Sequence, residues 1–105
     1  IPLDTALTAL LDDAPLEAVA GVRDSSAGRH YHFDLAGTSA YLDVTPELVV
    51  GELDDPSWSV SVRYVDDEVA LSSDEGVFMF APRARRFVVQ FRRDEHMVAT
   101  DWLRA

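Results

Sequence analysis

From Ser57 to Tyr64 the chain alternates without a break: Trp58, Val60, Val62 and Tyr64 fall on one side, Ser57, Ser59, Ser61 and Arg63 on the other. Successive side chains of an extended strand point to opposite faces, so this stretch is a strand with one buried and one wet face. A helical period would scatter the same residues around an axis. Turn-forming clusters then recur about every ten residues, the spacing of an antiparallel meander. They are Asp24 to Gly28, Ala36 to Thr38, Thr45-Pro46, Asp54 to Pro56, Asp66-Asp67, Ser72 to Gly76 and Ala81 to Arg83. Between them lie further predicted strands: Leu16 to Arg23, Arg29 to Leu35, Ser39 to Val44, Leu48 to Leu53, Glu68 to Leu71, Val77 to Phe80 and Phe87 to Arg92. His96 to Ala105 fits either period, and a short strand running into a turn is the expectation there.

Ahead of the alternation, Asp4 stands as an N-cap and Thr5 to Asp13 as a helix body, with Leu3, Leu7, Leu10 and Leu11 on one side and Pro15 as the stop. The expected fold class is therefore α+β: an N-terminal helix packed on a strongly bent, mostly antiparallel sheet of about six to eight short strands. Its predicted core is Tyr31, Phe33, Leu42, Trp58, Val60, Val62, Tyr64, Val69, Leu71, Phe78, Phe80, Phe87, Val89 and Phe91. A chain of 105 residues is expected to form one globular domain, residues 1–105, because that length buries a single core.

No cysteine is present, which removes disulfides, thiolate metal sites and cysteine nucleophiles together. No apolar run reaches the roughly 20 residues of a spanning helix, and no basic-then-apolar leader opens the chain. A cytoplasmic protein without membrane association is expected. Because Ile1 is not an initiator methionine, the start of the sequence sets no limit on what precedes it. Lysine is absent, while 19 carboxylates face 9 arginines for a formal charge of −10. Short hydrated carboxylates keep a protein soluble where salt screens ordinary repulsion, so a salt-adapted source is expected.

His30, His32 and Asp34 project from one face of a strand and form the candidate metal set, two imidazoles and one carboxylate. The metallo-hydrolase pattern His-x-His-x-Asp-His is broken at Leu35, where its last histidine would stand. Residues 1–80 carry −13 and residues 81–105 carry +3, which makes the C-terminal quarter a basic island. Arg83, Arg85, Arg86, Arg92 and Arg93 bracket Phe87 and Phe91 there, and are the candidate interaction or anion-binding residues. The acidic remainder disfavours nucleic acid. Adjacent carboxylates such as Asp54-Asp55, Asp66-Asp67 and Asp74-Glu75 sit in predicted turns, where they are solvated rather than convergent. Ser25, Ser26 and Ser39 are expected as turn formers.

No catalytic signature is present, and the even alternation leaves no polar group inside to do chemistry. The expected function is a small, acidic, lysine-free, non-enzymatic binding or regulatory module that acts through a protein partner or self-association, without a cofactor. Two alternatives are an acidic inhibitor or immunity-type protein occupying a basic target site, and a metal-dependent activity centred on His30 and His32. Carboxylate repulsion should also make the fold salt-dependent. Thermal melts at increasing potassium chloride are expected to rise, and a midpoint equal in dilute buffer and molar salt would leave the composition without a halophilic meaning.

Overall fold

The computed structural model describes residues 19–94 and 96–102. Nine strands run through them: β1 (Val19–Ser25), β2 (Gly28–Leu35), β3 (Thr38–Val44), β4 (Val49–Leu53), β5 (Ser59–Arg63), β6 (Glu68–Leu71), β7 (Val77–Phe80), β8 (Phe87–Arg93) and β9 (His96–Trp102). All pairings are antiparallel, in two sheets of order β1-β2-β3-β4-β7 and β6-β5-β8-β9. The chain enters the second sheet at β5, returns to the first at β7, and leaves again at β8, so the two layers are interlaced.

This corrects the expected α+β class. No helix occurs among the described residues, and the strands form two sheets rather than one bent sheet. The expected N-terminal helix, Asp4 to Asp13, lies outside the described residues. Alternation establishes that each strand buries one face, but it does not specify what covers that face. Here the cover is a second sheet. Phe33 of β2 meets Phe91 of β8 at 5.3 Å between ring centroids. Phe78 of β7 meets the same ring edge-on at 6.1 Å, and Phe80 meets Phe87 at 5.4 Å. Such tilted contacts suit the aromatic quadrupole.

Most of the predicted core is buried, and Leu35, Ala40, Val44, Val49, Leu53 and Val98 join it. Val69 is the exception: edge strand β6 leaves it exposed. The C-terminal ambiguity resolves as strand β9 through Trp102. None of the described residues forms a helix long and apolar enough to cross a membrane.

Gly51 sets the depth of the core. It pairs with Phe78 across β4 and β7, and a Cβ there would stand 2.0 Å from Phe78 Cζ. The ring lies directly over the glycine and cannot swing away, because Phe78 is itself 1% exposed. Gly51→Ala is therefore expected to cost about 1–3 kcal/mol by overpacking. Chemical denaturation measures this, and adding Phe78→Leu to the Gly51→Ala variant should recover part of the loss.

Candidate functional site: the outer face of the first sheet

The side chains of β2 that point away from the core are His30, His32 and Asp34. Cross-strand register extends them into rows. One row runs Arg23, His30, Asp43, Val50 and Met79, and the next runs Gly21, His32, Tyr41, Glu52 and Val77. Met79 is 59% exposed and Tyr41 46%. A depression of about 530 Å³ opens on this face, lined by His30, His32, Tyr41, Asp43 and Glu52 together with residues of β1.

His30, His32 and Asp34 share the face as expected, but each is engaged separately. His30 Nδ1 is hydrogen-bonded to Asp43 Oδ1, and its Nε2 lies 3.3 Å from Ser25 Oγ. His32 stacks on Tyr41 at 4.8 Å and 7° between planes. Asp34 accepts a 2.9 Å hydrogen bond from Gly37 N–H in the β2–β3 turn. Among the described residues, no group of three His, Asp or Glu side chains could hold a metal ion.

Folding divides the candidate arginines. Arg83 donates to Asp67 at 2.9 Å and lies over the Tyr64 ring at 4.3 Å. Arg83 and half-buried Arg86 line a cavity of about 400 Å³ with Tyr64 and Asp66, while Arg85 is exposed on the same β7–β8 loop. Arg92 reaches across the outer face of the second sheet to Gln90 at 3.0 Å and Glu68 at 3.4 Å. Arg93 donates to Asp55 at 2.6 Å and lies 5.4 Å from the Trp58 ring centroid, at the opposite end of the molecule from Arg83. What is one basic island in the sequence is three separate places in the fold.

Antiparallel strands alternate the ends at which their loops emerge, and this sorts the carboxylates. Asp34, Asp54, Asp55, Asp74, Glu75 and Asp94 gather at one end, where Arg93 is the arginine among the described residues. The loops there are tied together: Asp54 N–H donates to Ser39 O at 3.1 Å and Leu53 N–H to Gly76 O at 2.7 Å. At the other end, Arg83, Arg85 and Arg86 stand among Glu47, Asp66 and Asp67.

Ser25 and Asp43 are functional candidates that reading the sequence missed. Ser25 ends β1 at a two-residue hairpin, and the i to i+5 offset to His30 across such a turn was the available signal. Asp43 comes from a third strand and is brought opposite His30 by the β2–β3 register alone. No family model, curated protein or solved structure matches the chain.

The guanidinium of Arg83, and next the Glu68 backbone N–H, hold the Asp67 carboxyl below its ordinary range, and Asp67 in turn raises Arg83. A carboxyl depressed in the fold contributes stability above its unfolded-chain value and loses it as pH falls through its native value. Both groups are exposed, so solvent screening keeps the increment small. Arg83→Gln is expected to move Asp67 back up toward the ordinary carboxylate range, read by carboxyl NMR titration. An unchanged Asp67 titration would show that the ion pair is not populated in solution.

Proposed function

We propose that the protein is a binding module that presents the outer face of the first sheet to a protein partner carrying basic and apolar side chains. One observation carries this reading: Tyr41, Met79 and Val77 are exposed on the same face as Asp34, Asp43 and Glu52, where Arg23 is the one arginine among the described residues. Exposed apolar residues set among mostly acidic charges favour a complementary surface: the apolar groups contribute affinity, and the charges select the partner and speed encounter. Arg83, Arg92 and Arg93, by contrast, are already held by carboxylates of their own chain. Docking an acidic partner on them would require those ion pairs to be replaced. The acidic loop end adds a field that steers a basic partner toward this molecule. The same features suit an inhibitor that covers a basic site on its target.

The test is binding of purified proteins. A candidate partner, such as the product of an adjacent gene, is titrated with wild type, with the double variant Tyr41→Ser and Met79→Ser, and with Arg83→Ser plus Arg92→Ser. Loss of two exposed anchors is expected to weaken binding at least about tenfold, the equivalent of about 1.4 kcal/mol. The arginine variant is expected to bind as wild type. The reverse pattern would move the interface to the arginines and overturn the proposal.

A further inference from the structure

At the β1–β2 end of the same face, three side chains from three adjacent strands stand in line. Ser25 Oγ lies 3.3 Å from His30 Nε2, and His30 Nδ1 is hydrogen-bonded to Asp43 Oδ1. An ionised carboxylate only accepts hydrogen bonds, so Asp43 holds the imidazole proton of neutral His30 at Nδ1. The lone pair of Nε2 is then directed at the serine hydroxyl. Ala27 N–H donates to Ser25 Oγ at 3.2 Å, which favours negative charge on that oxygen. The hydroxyl hydrogen has a competing acceptor, Gly28 O at 3.2 Å, and rotation about one bond moves it from there to Nε2.

The hairpin that carries the serine is anchored. Gly28 has φ of 143°, and a Cβ on it would stand 2.2 Å from Val44 O. Arg29 Nε donates to Asp24 Oδ1 at 2.7 Å across the pair next to the one that closes the turn. Ser25 itself is exposed. A nucleophile, its base, and the group that orients the base are thus present at the surface in the order that serine acylation requires.

We infer that Ser25 is an activated, acyl-accepting serine, with His30 as its general base and Asp43 as a positioning residue, and that it takes acyl groups from activated esters or thioesters. In this step Ser25 Oγ bonds to the acyl carbon while its proton passes to His30 Nε2. The carbon–oxygen or carbon–sulfur bond to the leaving group breaks, and Nε2 returns the proton to the departing alcohol, phenol or thiol. The product is O-acyl-Ser25, with no change of oxidation state. The site is open to water, with the Asp43 side chain 63% exposed. A preorganised oxyanion donor is typically worth about 10²–10³ in rate, so an open site suits activated donors rather than amides. The inference does not depend on the partner-binding role of the face.

The experiment is incubation of the full chain with p-nitrophenyl acetate, following nitrophenolate release and mapping the acetyl group by peptide mass spectrometry. Acetylation is expected at Ser25 and not at Ser26, its exposed neighbour, and release should fall to the background level in Ser25→Ala. His30→Gln is expected to slow acetylation of Ser25 by about 100-fold, the usual worth of a general base. In Asp43→Asn the ¹⁵N shifts of His30 should show the proton leaving Nδ1 as acylation slows, a signature that a merely structural carboxylate would not give. Circular dichroism of each variant establishes that the sheets are intact. Equal labelling of Ser25 and Ser26, undiminished release from Ser25→Ala, or a His30→Gln rate equal to wild type would each overturn the inference.

Discussion

The contact between Phe91 and the rings of Phe33 and Phe78 is the interaction on which the rest of the molecule depends. It joins a strand of the second sheet to two strands of the first, at the centre of an apolar layer in which these rings are essentially inaccessible to water. Gly51 makes it possible by leaving the space that the Phe78 ring fills. Close packing at native density tolerates little change there. Once the two inner faces are committed to each other, the outer face of the first sheet and the loop ends are the surfaces left for function, since Ser61, Val88 and Gln90 on the outer face of the second sheet are buried as well.

Interlacing of the sheets governs electrostatics as strongly as it governs packing. The β2–β3, β4–β5, β6–β7 and β8–β9 connections emerge together, so carboxylates scattered over sixty positions of sequence, Asp34 to Asp94, become one acidic end. The arginines take a different course. Arg93 is drawn to Asp55, Arg83 to Asp67, and Arg92 into a network with Glu68, Gln90 and Ser61 on the outer face of the second sheet. These pairs are surface interactions of modest individual worth. Their larger consequence is to lower the capacity of the arginines to recruit an acidic partner, and to leave the acidic surfaces as the dominant external feature.

His30 links the two roles proposed for the first sheet. It sits beside the exposed Tyr41 and Met79 surface and also between Asp43 and Ser25, because β1, β2 and β3 pair with the register that sets Arg23, His30 and Asp43 in one row. A shift of one residue in either pairing would turn the slipped strand's side chains over to the other face and break the row. Burial of Tyr31, Phe33 and Leu35 on one side of β2 is what forbids that shift. Core packing therefore positions the outward chemistry, although no outward residue takes part in the core.

The sequence by itself determined the strands and their buried faces. Trp58, Val60, Val62, Tyr64 and Phe87, Val89, Phe91 are buried where a period of two puts them, because alternation is a local property of extended chain, but Ser61, Val88 and Gln90 on the opposite face are buried as well, which alternation does not foretell. The outward position of His30, His32 and Asp34 followed from the same rule. Tertiary structure alone decided what covers the buried faces: a second sheet satisfies the same pattern as a helix, since hydrophobic burial is indifferent to the kind of element that excludes water. It also decided that Asp43 meets His30, that the arginines are dispersed, and that the acidic loops converge. Each of these depends on which strands pair and at which end a turn emerges. Those are relations between distant residues, and no local spacing in the chain encodes them.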